Sequence, residues 1–269
     1  MASKKMNFLI TGAGRGIGRG LSRHLLSGGH RVFLLDSNTE ELDHTVSILG
    51  KTYRPRQDFG SSVTDLRDPA QIKSAAAQAN ALFGGQLDCL VNNAAYTGGV
   101  GGTKLEDMTV EEWETSLSVN LTGPMLMTQA CLGMLSKTAG RSTGGCVVHV
   151  SSTRAFQSEP DNEAYSTTKA GLVGMAQSMA VSLSARGIRV SAVLPGWIHV
   201  ADECKAADEA GTKWEEGLSE EDGRWQLTGR VGKVEDMARA VLYLAENEGV
   251  TGVEMVVDGG VTRKMVYPE

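Results

Sequence analysis

This 269-residue chain has no excess of positive charge, no paired cysteines and no apolar run long enough to cross a membrane. Lysine and arginine total 26 against 32 aspartate and glutamate, a net charge of −6. A nucleic-acid surface needs clustered cations to neutralise phosphates. The balance therefore argues against a nucleic-acid partner, and it gives an anionic membrane nothing to attract. The start, Met1-Ala2-Ser3-Lys4-Lys5, leads directly into a strand-like apolar run. No stretch reads as a signal-peptide core with a cleavage site, and none approaches the roughly 20 residues of a membrane span. Cys89, Cys131, Cys146 and Cys204 are scattered, without a C-x-x-C pair or a histidine at metal-ligand spacing. Cys89 and Cys146 lie in apolar runs, where a free thiol acts as a small buried hydrophobe. The expectation is a cytosolic protein with reduced thiols and no metal. There is no Pro- or Ser-rich linker and no internal repeat, so residues 1–269 read as one domain. With 41% apolar and 22% charged residues the composition is that of an ordinary globular protein.

Short runs rich in Val, Ile and Leu recur at Asn7–Thr11, Arg31–Asp36, Leu87–Asn92, Cys146–Ser151, Arg189–Leu194 and Val253–Val257. Their nearly continuous apolar character suits strands buried on both faces of a parallel sheet. Phe59–Asp65 carries polar residues and reads as a less covered strand. Helical patterns lie between them at Ile17–Ser27, Pro69–Phe83, Thr109–Leu135, Glu163–Arg186 and Val234–Glu246. This alternation predicts an α/β, doubly wound sheet. His199 to Gly229 stands apart: it is acidic, has no clear strand and holds Trp214 and Trp225. A stretch this long reads as a substrate lid, a helical excursion or a solvated insert. Its two indoles are expected to pack rather than stand in water.

The first strand runs into Thr11-Gly12-Ala13-Gly14-Arg15-Gly16-Ile17-Gly18 and an apolar-periodic helix. Glycines there allow a tight turn and bring backbone N–H groups close to a pyrophosphate at the helix N-terminus. The spacing fits T-G-x-x-x-G-x-G and not G-x-G-x-x-G. The second strand ends in Asp36, where a carboxylate would accept hydrogen bonds from an adenosine ribose and repel the 2′-phosphate of NADP. Arg15 pulls the other way, since a basic residue in the turn pairs with that phosphate. With Ser37 following Asp36, NAD is favoured over NADP.

Tyr165 and Lys169 stand four apart at the start of a predicted helix and project from one face. An ordinary tyrosine has a pKa of about 10. Making it a base near neutrality takes roughly 3 pH units, about 4 kcal/mol, from a nearby ammonium and a cationic cofactor ring. Ser152 follows a strand thirteen residues before Tyr165, and Asn120 follows a helical stretch.

Taken together these segments make the chain resemble the short-chain dehydrogenase/reductases from Asn7 to Gly260. The matching motifs are Thr11 to Gly18, Asp65-Leu66, Asn92-Asn93-Ala94-Ala95, Asn120, Ser152, Tyr165-x-x-x-Lys169, Pro195-Gly196 and Asp258-Gly259-Gly260. The resemblance implies a Rossmann-type parallel sheet, a secondary alcohol or ketone as substrate, and a homotetramer or homodimer. It implies Tyr165 as general acid/base, with Ser152 hydrogen-bonding the substrate oxygen. Lys169 would bind the nicotinamide ribose and lower the Tyr165 pKa, and Asn120 would anchor a water linking Lys169 to solvent. Gly12, Arg15, Gly16, Ile17 and Gly18 would form the pyrophosphate turn. Asp65 and Leu66 would contact adenine, and Asn92 with Ala94 would line the adenosine side. Pro195 and Gly196 would pass close to the nicotinamide, with the Ile198 N–H near its carboxamide.

Two departures stand out. Asn-Asn-Ala-Ala replaces the commoner Asn-Asn-Ala-Gly, with little consequence. After Pro195-Gly196 the family often has a threonine that helps hold the carboxamide, whereas this chain reads Trp197-Ile198-His199-Val200. Backbone groups are then left to orient the cofactor, with His199 as a substitute. The substrate pocket is expected between the residues after Ser152, the 96–102 loop and the segment after Val200. Arg154 either pairs with Glu159, Asp161 or Glu163, the reading the loop favours, or meets an anionic or polyhydroxylated substrate. A biosynthetic NADPH-dependent ketoreductase and a non-catalytic nucleotide-binding protein are the alternative functions.

Overall fold

A computed structural model describes residues 5–98 and 100–265. Seven strands form one sheet: β1 (Asn7–Thr11), β2 (Arg31–Asp36), β3 (Phe59–Val63), β4 (Cys89–Asn92), β5 (Cys146–Val150), β6 (Arg189–Pro195) and β7 (Glu254–Val257). Every pairing is parallel, in the order β3-β2-β1-β4-β5-β6-β7. Parallel neighbours need crossovers, and helices supply them on both faces. Helices α1 (Gly16–Ser27) and α2 (Thr39–Leu49) cover one face, together with α9 (Val234–Glu246) at the far end of the chain. Their Leu21, Leu25, Leu42, Met237 and Val241 meet Phe8, Ile10 and Val148 of the strands. Helices α3 (Pro69–Phe83), α5 (Gly123–Leu135) and α6 (Glu163–Ser182) cover the other face, where Ile72, Met127 and Ala176 meet Leu9, Leu90 and Val190. Alternate side chains of one strand thus enter different cores, which is why the strand runs are apolar at every position.

The chain moves outward from β1 to β2 and β3, then returns to β4 on the other side of β1. At that reversal the connections after β1 and β4 diverge and leave a crevice above the carboxyl ends of the strands. As expected, β3 is less covered than the central strands, and it stops at Val63; β7, read from the sequence as a strand buried on both faces, is at the sheet edge and has no fully buried position.

Three local features differ from the pattern read in the sequence. Helix α2 has no clear apolar stripe: only Leu42, Thr45 and Leu49 are buried, and it owes its start to the Asn38 side chain accepting the Glu41 N–H. The predicted helix over Thr109–Leu135 is α4 (Val110–Leu117), a π-helical turn at Ser118–Thr122, and then α5. Pro124 opens α5 and supplies no N–H to the carbonyl four residues back, that of Asn120. The 199–229 segment contains two short helices, α7 (Lys205–Ala210) and α8 (Glu220–Trp225). Its tryptophans behave differently. The Trp214 Nε1–H donates to the His199 carbonyl at 3.2 Å, with the Lys233 ammonium 3.9 Å from its ring centroid. Trp225 does not pack as expected and is 55% exposed, on a six-residue helix with no buried face.

Candidate active site

A groove of about 660 Å³ opens at the carboxyl ends of the strands, with the glycine turn at one end and α6 at the other. Gly12 and Gly16 need positive φ, 65° and 61°. A Cβ on Gly12 would stand 2.7 Å from the Ala94 Cα, and one on Gly18 would stand 2.1 Å from the Gly12 carbonyl oxygen. Gly16 instead borders the open groove, with Val200 as its nearest neighbour at 4.0 Å. Gly12, Arg15, Gly16 and Ile17 line the cavity, while Gly18 sits behind it as a packing position. Ile17 and Gly18 belong to the first turn of α1, where amides have no carbonyl four residues back. The Gly16 N–H already has an acceptor, the Glu203 carbonyl at 2.7 Å.

Asp36 ends β2 with both oxygens fixed by backbone amides: the Gly14 N–H donates to one at 2.8 Å and the Asn38 N–H to the other at 2.9 Å. Its carboxylate is thereby presented to the groove. Asp65, Leu66, Ala94 and Pro195 also line it. Arg67 pairs with Asp65 at 2.7 Å, and this hydrogen-bonded guanidinium holds the carboxyl below its usual range.

Three residues expected at the groove wall lie elsewhere. Asn92 points into the core, where its Nδ2 faces Thr128 at 3.2 Å and His149 at 3.3 Å. The strand alternation that buries Asn92 turns Asn93 to the groove, where it ties the Thr11 and Gly12 carbonyls. Gly196 packs on the Asp258 turn, for a Cβ there would meet the Asp258 Cβ at 2.8 Å. Ile198 is buried against Gly232 and lines a separate cavity. His199 packs edge-on between Trp197 and Trp214, and Val200 faces the groove instead.

At the other end Ser152 leaves β5 and accepts the Arg154 N–H at 3.1 Å, starting a tight turn over Thr153–Ala155. Tyr165 and Lys169, one turn apart on α6, line the groove. The Lys169 ammonium donates to the Val150 carbonyl at 2.9 Å and stands 5.3 Å from the centre of the Tyr165 ring. Burial pushes the Lys169 pKa down to about 8. Burial also raises the Tyr165 pKa, while the Arg154 charge and a hydrogen bond with Ser152 oppose that rise. The ammonium expected to lower the tyrosine is thus itself disfavoured by burial, and the Arg154 charge adds to the groups that favour the phenolate. Asn120 lies in the π turn. Its Oδ1 accepts the Tyr96 N–H at 2.7 Å, and its Nδ2 donates to the Tyr96 carbonyl at 3.1 Å and to Thr168 at 3.2 Å. The side chain therefore anchors the 96–102 loop to α6.

The 199–229 segment is tied to the cofactor-side helices by buried charge. The Glu203 carboxylate, 3% exposed, pairs with Arg19 and Arg23 of α1. Arg19 also meets Asp208 at 2.5 Å, and Asp208 meets His44 of α2 at 2.7 Å. Burial opposes ionisation of Glu203 and raises its pKa against both arginines. The same opposition at Asp208 is outweighed by His44 and Arg19, which hold its pKa down. None of these contacts follows from local spacing, since they join residues more than 160 positions apart.

A family model described as enoyl-(acyl carrier protein) reductase matches residues 12–262. An uncharacterized oxidoreductase of Thermotoga maritima is 35% identical over 265 residues, covering 97% of each chain. The chain belongs to the short-chain dehydrogenase/reductase family. It is an oxidoreductase of that family, acting on CH–OH or keto groups. Another Thermotoga maritima relative, a 3-oxoacyl-[acyl-carrier-protein] reductase, is 35% identical over 254 residues, 94% of this chain and 96% of its own. Among solved structures, a 3-ketoacyl-(acyl-carrier-protein) reductase from Brucella melitensis complexed with NADH superposes with a TM-score of 0.80. It is 26% identical and covers 97% of this chain and 100% of its own. The family's doubly wound parallel sheet is the one described above. Among the described residues no helix is long and apolar enough to cross a membrane.

Thr11, Asn93, Thr64 and Val200 belong to the site although sequence reasoning gave them no role. Thr11 and Asn93 were legible as neighbours of recognised motifs: the Thr11 hydroxyl accepts the Asn93 and Ala94 amides, both at 3.0 Å. Thr64 and Val200 carry no such signal.

Proposed function

We propose that this enzyme transfers a hydride between NAD(H) and a secondary alcohol or ketone, with Tyr165 as general acid/base. The observation carrying this reading is that Tyr165 and Lys169 line one end of a groove whose other end presents Asp36, with Ser152 hydrogen-bonded to the Tyr165 phenol. The residues fit a nicotinamide dinucleotide. The space above Gly16 is open, Ile17 lines it from the first turn of α1, and Asp36 lines it where a ribose would sit. When bound, the dinucleotide supplies or accepts the hydride. In reduction the Tyr165 phenol donates its proton to the carbonyl oxygen. The Ser152 hydroxyl donates a second hydrogen bond to the same oxygen and stabilises the charge developing on it. Lys169 would hold the nicotinamide ribose and restore the tyrosine's proton, with Asn120 anchoring a water that links the ammonium to solvent. Asp65, Leu66 and Arg67, which line the groove, would flank the adenine.

Asp36 favours NAD, because its carboxylate would stand against a 2′-phosphate; Arg15, exposed on the groove, favours the NADPH ketoreductase reading. A single domain, a cytosolic location and a homotetramer or homodimer complete the proposal. The test is absorbance at 340 nm with NAD(H) or NADP(H) and a panel of secondary alcohols, polyols and ketones, with Tyr165→Phe alongside. Turnover that vanishes in the variant is expected. Asp36→Ala should narrow the gap between NAD and NADP. Silence of the wild type across the panel despite NADH binding would overturn the reading and favour a non-catalytic nucleotide binder.

A further inference from the structure

Arg154 is the residue at the substrate end whose surroundings do not explain it. It follows Ser152 by two positions on a turn that packs against α6, and its backbone N–H is 3.1 Å from the Ser152 hydroxyl. Its side chain is 30% exposed, and Nη2 donates to Glu159 at 2.8 Å. Glu159 is itself 67% exposed, and a pair that open to water contributes only about 0–1 kcal/mol. Asp161 and Glu163, the other acids of this loop, form no ion pair with Arg154 among the described residues. The Nε–H meanwhile is buried without an acceptor. A charged donor withdrawn from water and left unmatched is costly, and the partner it has is too exposed to compensate. The guanidinium is close enough to the phenol for its charge to oppose the rise of the Tyr165 pKa. Its turn is also the one that carries Ser152, so the guanidinium is tethered two residues from the hydroxyl assigned to the substrate oxygen.

We propose that Arg154 is a specificity-determining residue that binds a carboxylate carried on the ketone substrate a short distance from the reacting carbon. The proposal rests on the hydride-transfer reading for what the site does, and adds the class of substrate: an oxo acid and its hydroxy acid, in preference to a neutral polyol or an ester. Arginine suits the task because its planar fork matches a carboxylate and keeps its charge at every working pH. Glu159 engages Nη2 and leaves the remaining donors to the ligand.

The probes are acetoacetate and levulinate, each compared with its methyl ester, in the wild type, Arg154→Gln and Arg154→Lys. Kinetics are followed at 340 nm. Binding of the two acids is measured separately by calorimetry on the NADH complex of Tyr165→Phe, with and without Arg154→Gln. For at least one acid the wild-type KM should lie below that of its ester. Arg154→Gln should raise the KM for that acid about ten- to a hundredfold, the loss typical of a charge-assisted hydrogen bond. The ester's KM should move less than about threefold, and Arg154→Lys should recover part of the acid's loss. Equal KM values for acid and ester in both pairs would overturn the proposal. So would an equal rise for both in Arg154→Gln, or no measurable binding of either acid. If the acids bind in an Arg154-dependent way but neither acid nor ester is reduced, the hydride-transfer reading fails while the anion site stands. If only the esters are reduced, the anion site fails and the hydride-transfer reading stands.

Discussion

Lys169→Met is expected to abolish turnover and, in the same protein, to increase stability. The ammonium is 2% exposed, with the Val150 carbonyl 2.9 Å away as its acceptor. Burial lowers its pKa from 10.5 to about 8. A folded pKa below the unfolded one means that the unfolded chain binds the additional proton. The penalty on folding is therefore full below about pH 8 and fades as the pH rises through 10.5. At about 1.4 kcal/mol per pH unit the penalty is about 3 kcal/mol at pH 7. Methionine has similar bulk and no charge, so the variant escapes this penalty but loses a hydrogen bond of about 1 kcal/mol. The net gain is about 2 kcal/mol at pH 7, shrinking to about 1 kcal/mol at pH 9. Urea unfolding of both proteins without cofactor, at the two pH values, measures it. A variant less stable than the wild type at pH 7, or a difference unchanged at pH 9, would refute the reasoning. The physical content is that a buried cation is kept for chemistry at the expense of stability.

His149 stands on the same strand as Val150, fully buried, and burial with the Lys169 charge lowers its pKa to about 4. Its folded pKa lies below the usual value, so acid favours the unfolded chain; the wild type should lose about 2 kcal/mol from this group between pH 7.5 and pH 5. His149→Asn should lose correspondingly less in paired urea melts, and equal acid losses would exclude the assignment. Glu203→Gln leaves Arg19 and Arg23 facing an uncharged amide in a buried position, a change expected to cost about 3 kcal/mol. Because Glu203 also carries the carbonyl that meets Gly16, the KM for NADH should rise along with the fall in melting temperature. A lower melting temperature with unchanged NADH affinity would mean that the 199–229 segment is held independently of the cofactor groove.

Periodicity and residue type by themselves determine much of this protein. Strands buried on both faces must be apolar at every position, so β1, β2, β4, β5 and β6 announce themselves and a parallel α/β sheet follows. The glycine turn, Asp36 at the end of β2, and Tyr165 with Lys169 on one helix face are local relations, and local geometry is what sequence spacing encodes. Helix α2 is less legible because its buried stripe is three residues wide and its start depends on one capping asparagine. Asn92 and Asn93 illustrate the limit: adjacent identical side chains differ only in which way the strand faces them, and that is set by Thr128 and His149 on one side and the glycine turn on the other. The ties of Asn120 to Tyr96 and Thr168 and the ion network from Glu203 to His44 depend on how distant elements meet. Tertiary packing decided them because burial and charge pairing act through space, between residues that the chain brings together only when it has folded.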